Sequence, residues 1–198
     1  MDTKKPISKF MYKVEFPNRE AGVNYCEKKG IHAKNIREYK KDEVIFYSSR
    51  VKTREAQILS NMYPCVLNLN GLIFKSVEHM YHYLCFTQFP EIQELIQACR
   101  TGFEVKQMCK GLKRDDNFEE KHHDVMEFCM NLKYQQCKEF REILENSGDV
   151  PLVEWAEWGD VSAGTCLYMK GGEEWLIGQN SGGRLLMKVR LNNRKKNL

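Results

Sequence analysis

The stretch "CVLNLNGLIFKSVEHMYHYLCF" (residues 65–86) reads as two strands followed by the start of a helix. Asn70-Gly71 divides the strands. Both residue types accept positive φ, which a two-residue type I′ hairpin turn demands at its two central positions. Ser76 then suits a helix N-cap, because its hydroxyl accepts from a first-turn backbone N–H that has no intrahelical partner. Val77, Met80, Tyr81, Leu84 and Cys85 follow at helical spacing and form one apolar stripe. Glu78 and His79 lie off that stripe, in the first turn. A carboxylate there is favoured by the helix macrodipole, so Glu78 either stabilises the helix end or does chemistry.

Upstream of this stretch, "EVIFYSS" (43–49) reads as a strand. Downstream, Pro90 opens a helix, "PEIQELIQACR", with Ile92, Leu95, Ile96 and Cys99 on one face. "FEVKQMCKGL" (103–112) repeats the pattern with Val105, Met108, Cys109 and Leu112. A longer helix is expected after Asn117, running to Lys133 or beyond. "CKEFREILEN" forms another and ends at Ser147-Gly148. In the last quarter, "TCLYMKGGEEWLIGQNSGG" reads as two short strands around Gly171-Gly172, and "RLLMKVRL" as a closing helix. The sum is an α+β, helix-rich single domain with a small β-sheet over residues 43–198. Residues 1–42 show little periodicity and read as a basic N-terminal extension.

The totals agree with this outline. The chain has 198 residues, 42% hydrophobic, with 3 Trp, 9 Tyr and 10 Phe, enough for a real core. No apolar run approaches the roughly 18 residues of a membrane span. "MDTKKPISKF" lacks the apolar centre of a secretory signal. A soluble, cytoplasmic protein is therefore expected, with no membrane partner. The 8 cysteines form no CxxC pair, and several fall on apolar helical stripes. Reduced, buried thiols fit better than a disulfide framework. The net charge of +4 is uneven. Residues 1–42 carry 11 Lys and Arg against 6 Asp and Glu, and the remainder is close to neutral. A basic segment of this kind either favours a polyanion such as nucleic acid or is simply a solvated extension.

Four local patterns can carry chemistry, and each has a plainer reading. An ionised Glu78 can act as a base or stabilise a developing positive charge, or it can pair with His82 at i, i+4. Lys106 and Lys110, also i, i+4, can meet a phosphate, and a desolvated amine can act as a nucleophile. They can equally be two solvated lysines. "GQNSGGRLLM" (178–187) puts glycines before a helix, where free N–H groups can hold a phosphate or merely form a turn. "WAEWGD" (155–160) offers tryptophans that can stack on a base or fill the core. His79, His82 and Cys85 rotate around their helix with no carboxylate–histidine cluster elsewhere to complete a sphere, so no metal site is expected.

In this order the motifs resemble one family. "FYSS" (46–49), "LSNMYP" (59–64), "FKSVEHMY" (74–81), Lys106, "LVE" (152–154), "EWGD" (157–160) and "IGQNSGGRLLMKVR" (177–190) look like the NADAR superfamily, the YbiA-like N-glycosidases. The resemblance covers about three quarters of the chain and leaves residues 1–42 outside. It implies hydrolysis of a ribose C1′–N bond with no metal and no redox cofactor. The implied substrates are ADP-ribose attached to guanine in nucleic acid, or phosphoribosylated aminopyrimidine intermediates of riboflavin synthesis. It further implies catalytic roles for Glu78 and Asp160, with Lys106 as a competing nucleophile through a Schiff base. Tyr63 and Trp158 would sandwich the base, Trp155 would line the pocket, and His79 and His82 would face it. Gly178, Asn180 and Gly183, with Lys110, would hold phosphate or ribose, and Ser60 and Asn61 would sit near the rim.

The chain departs from the family pattern at several points. His82 stands where Gln is usual, Cys85 where Lys is frequent, and Cys109-Lys110 where Gly-Arg is common. Phe118 replaces a Trp, and Ser181-Gly182 a more apolar pair. Lys110 keeps a charge but not the bidentate fork that suits phosphate. Three readings follow: a glycosidase, a module that binds ADP-ribose or a related nucleotide without turnover, and a nucleic-acid interaction protein acting through its basic segment.

Overall fold

The computed structural model describes residues 15–48, 53–156 and 159–196. The chain divides into two compact units, one built from residues up to 46 together with 149–184, the other from 47–148 together with 185–198.

In the first unit, β1 (Glu15–Phe16), α1 (Arg19–Lys28) and β2 (Arg37–Lys40) join β7 (Cys166–Lys170) and β8 (Glu173–Gly178). The four strands form one sheet in the order β1-β7-β8-β2, with β1 parallel to β7 and the other pairs antiparallel. Gly171 and Gly172, both at positive φ, make the β7–β8 turn as the sequence suggests. Side chains alternate between the two faces. Cys166, Tyr168 and Ile177 pack with Phe16, Cys26 and Ile31. Leu167 and Leu176 pack with Val153, Trp155, Tyr39 and Phe46. Gly22 lets α1 approach closely, since a Cβ there would lie 2.8 Å from Ile177 Cγ2. The expectation of little regular structure over residues 1–42 fails for their described part, residues 15–42. Instead they supply two of the four strands and the helix packed on them. β3 (Ile45–Tyr47) is shorter than the expected strand at 43–49 and pairs with β6 (Leu152–Glu154).

The second unit is helical. β4 (Leu67–Leu69) and β5 (Leu72–Phe74) form the expected hairpin, with Leu69 opposite Leu72 and both Asn70 and Gly71 at positive φ. α3 (Val77–Leu84) follows, and its Ser76 cap accepts from the His79 N–H at 3.1 Å. Around α3 pack α4 (Pro90–Ala98), α5 (Gly102–Met108) and α6 (Phe118–Gln136). α2 (Arg54–Leu59) and α6 meet α7 (Lys138–Asn146). α8 (Ser181–Lys196) ends the described chain. It is longer than the closing helix read from sequence.

Two expected faces need correction. Only Ile96 of the proposed α4 stripe is fully buried, and Leu95 is exposed. α5 stops at Met108, and Gly111 at positive φ then turns the chain, leaving Leu112 exposed. A buried staple fixes the α3–α4 connection. Asp115 accepts from the Thr87 N–H and hydroxyl, the Gln88 N–H and Lys121 Nζ. Burial alone would raise its pKa, but the bonds from Lys121 and Thr87 outweigh this and hold the carboxyl at about 2. The described cysteines are all free thiols, five of them buried. Among the described residues no helix is long and apolar enough to cross a membrane.

Candidate active site

Glu78 sits in the first turn of α3, but not on an open face. Because α4, α5 and α6 surround the helix, Glu78, His79 and His82 are buried along with Val77, Met80 and Cys85 of the stripe, while Tyr81 and Leu84 are half-buried. The Glu78 side chain is 5% exposed. Its carboxylate has three neighbours. Asn61 Nδ2 donates to Oε2. His82 Nε2 lies 3.3 Å from Oε1, and Lys106 Nζ lies 4.0 Å from the same oxygen. The Glu78 backbone N–H, unpaired within its own helix, donates to Asn61 O at 3.0 Å. One residue therefore holds both ends of Glu78.

The surroundings explain this placement. Gly102 opens α5 directly against the carboxylate stem. A Cβ there would stand 2.8 Å from Ser76 Oγ and 3.1 Å from Glu78 Cβ. Thr101 caps α5 by accepting from the Glu104 N–H. One turn further on, Lys106 reaches back to Glu78 with most of its side chain in solvent (60% exposed). On the other side, Asn61 lies in a turn after α2. Ser60 Oγ accepts from the Met62 N–H, and Ser60 O accepts from the Tyr63 N–H. Lys133 of α6 donates from Nζ to Ile58 O at 2.6 Å and Ser60 O at 2.8 Å. Burial lowers its pKa to about 8. Neither Lys133 nor Gly102 stood out in the sequence. A lysine among the buried positions of α6 was the one available signal.

The remaining candidates fall differently. His79 is fully buried, with Nε2 2.7 Å from Ile96 O and its ring edge-on to Phe74. Burial lowers its pKa, favouring the neutral ring. It is a core residue in this conformation rather than one facing a pocket. His82 Nδ1 is buried with no hydrogen-bond partner among the described residues. Tyr63 is half-buried, and Lys110 follows α5 in solvent.

Asp160, Trp155, Gly178, Asn180 and Gly183 belong to the first unit. Asp160 is exposed and accepts from the Ala163 N–H at 3.2 Å. Trp155 is buried and edge-on to Phe46. Asn180 spends its side chain internally: Oδ1 accepts from the Glu154 N–H, and Nδ2 donates to Leu152 O and Tyr39 Oη. The glycines have packing reasons. A Cβ at Gly178 would lie 2.2 Å from Gly164 O, and one at Gly183 2.1 Å from Leu152 O. The expectation of free N–H groups before α8 is corrected. Those of Gln179, Asn180, Ser181 and Gly182 donate to the carbonyls of Val161, Gly164, Ser162 and Ala163. Trp158 lies outside the described residues.

Comparison with known proteins places the chain. The NADAR domain model matches residues 45–192, well over half of its length. This chain belongs to the NADAR domain family. The NADAR chain is also similar to the NMR structure of the E. coli protein YbiA, with a TM-score of 0.63 at 22% identity. That match covers 80% of this chain and 89% of YbiA, and it supports the YbiA-like α+β fold. No curated protein matches the NADAR chain.

Proposed function

We propose that this NADAR chain is an N-glycosidase that hydrolyses a ribose C1′–N bond and removes ADP-ribose from guanine in nucleic acid. The observation that carries the reading is the Glu78 carboxylate, buried at a helix N-terminus, gripped by Asn61 and close to one exposed cation. Departure of the base leaves C1′ oxocarbenium-like, and a fixed carboxylate in a low-dielectric setting stabilises that charge and orients water. Lys106, exposed and 4.0 Å from Glu78 Oε1, suits a phosphate or the departing side of the substrate.

The same 4.0 Å separation supports a second route. The neutral Lys106 amine bonds to C1′ as the C1′–base bond breaks, Glu78 takes the amine proton and passes it to the departing base, the sugar ring opens to a Schiff base, and water hydrolyses that to release the sugar and return the amine. Nucleic acid is preferred over a small phosphoribosyl nucleotide because of the basic N-terminal segment, whose residues 1–14 alone carry 4 Lys against 1 Asp.

The test is release of ADP-ribose from ADP-ribosyl-guanine DNA. Wild type should release it, and Glu78→Gln should lower kcat by about 100-fold or more. Borohydride trapping of a covalent adduct, absent in Lys106→Ala, would select the second route. Tight ADP-ribose binding without release would replace the enzyme by a binding module. Release from a phosphoribosyl aminopyrimidine alone would replace the substrate.

A further inference from the structure

Lys133 is a fully buried cation with no carboxylate in ion-pair distance among the described residues. Its ammonium is met by the Ile58 and Ser60 carbonyls and by the faces of Phe140, at 4.5 Å, and Tyr63, at 5.6 Å. The titratable groups facing it are the Cys65 and Cys137 thiols and the Tyr63 hydroxyl. Burying an ammonium without a counter-ion is costly, and an apolar side chain of similar volume is often neutral or stabilising at such a site. Stability alone is therefore a poor reason for a lysine here.

The two carbonyls it holds offer another reason. They end α2 and begin the turn whose next residue is Asn61. Asn61 accepts from the Glu78 N–H and donates to the Glu78 carboxylate. The bonds form one chain: Lys133, the Ile58–Ser60 backbone, Asn61, Glu78.

We propose that Lys133 is a positioning residue: it fixes the turn that carries Asn61 and, through Asn61, sets where the Glu78 carboxylate stands. Its consequence for catalysis rests on the glycosidase reading above, but its consequence for Glu78 does not.

The experiment uses the full chain and the variant Lys133→Met. In the folded variant, amide exchange followed by NMR should show the Glu78 N–H losing protection at least tenfold. The Leu84 N–H, in the last turn of the same helix, should keep its own. On ADP-ribosyl-guanine DNA, kcat should fall tenfold or more with KM within threefold. The double variant with Asn61→Ala should be no slower than Asn61→Ala alone, because the two act in series. Unchanged Glu78 protection, or losses that multiply in the double variant, would overturn the proposal. A wild type inactive on this substrate would sink the ADP-ribosyl-guanine reading while the exchange result still decides the positioning. If Lys133→Met does not fold, wild type answers instead. The Asn61 side-chain amide resonances should follow the Lys133 Nζ titration, and independence of the two would overturn the proposal.

Discussion

Gly102→Ala tests the packing behind Glu78 most directly. Gly102 has no positive φ, so alanine meets no backbone strain, and the whole effect is steric. The added Cβ would stand 2.8 Å from Ser76 Oγ, 3.1 Å from Glu78 Cβ and 3.4 Å from Met62 Sδ. Carbon–carbon contacts are comfortable near 3.5–4.0 Å, so the neighbours must retreat by about half an ångström. Overpacking of this size costs about 1–3 kcal/mol, and displacing Ser76 Oγ from the His79 N–H adds up to about 1 kcal/mol of lost cap. Against this, replacing glycine by alanine restricts the unfolded chain and returns about 0.4–1 kcal/mol. The net expectation is a loss of about 1–3 kcal/mol in a urea melt. Because the Glu78 stem is one of the atoms pushed, kcat should also fall, by about 10-fold or more. A Gly102→Ala protein at least as stable as wild type, with unchanged kcat, would refute the reasoning about how Glu78 is placed.

Three further outcomes are expected. Asp115→Asn should cost about 2 kcal/mol at pH 7, from a folded carboxyl at about 2 against 3.8 unfolded. The folded pKa is the lower one, so this contribution is full above pH 4–5 and fades as pH falls towards 2. Urea melts at pH 7 and pH 3 should show the gap between variant and wild type closing. Gly183→Ala sets a Cβ 2.1 Å from the Leu152 carbonyl, which backbone cannot easily yield, and should cost more than about 3 kcal/mol by thermal melt. In native protein, a thiol reagent at pH 8 should modify Cys65, Cys99 and Cys137 well before the five buried cysteines. Burial raises Cys26, Cys85 and Cys109 to about 11.

The features legible in the sequence were those set by neighbours along the chain. Asn70-Gly71, Gly171-Gly172 and the Ser76 cap are local chemistry, and each appears where it was read. The two-residue β1 and the four-residue β2 are another matter. They carry no alternating pattern of their own, and they become strands only because β7 and β8 lie beside them. Glu78, His82, Lys106 and Asn61 could be named from sequence, yet the burial of Glu78 could not. A residue off the apolar stripe looks solvated until helices from later in the chain close over it. Lys133 was hidden by the opposite bias, since a lysine on a buried stripe reads as a helix nearing its end. Asn180 looked like a ligand-holding amide because its internal partners are Leu152, Glu154 and Tyr39, far from it in sequence.

The sheet of the first unit also dictates an order of assembly. Glu15 pairs with Leu167 and Arg37 with Gly178, so β1 and β2, once made, wait for partners far downstream in the chain. Residues 47–148, by contrast, are one continuous stretch that makes up most of the second unit, which residues 185–198 complete. Loop-closure entropy favours such a block collapsing first. During synthesis the Glu78 helix and its neighbours are thus the early folders. The N-terminal segment is held in reserve, its strand edges unpaired, until translation reaches Gly178.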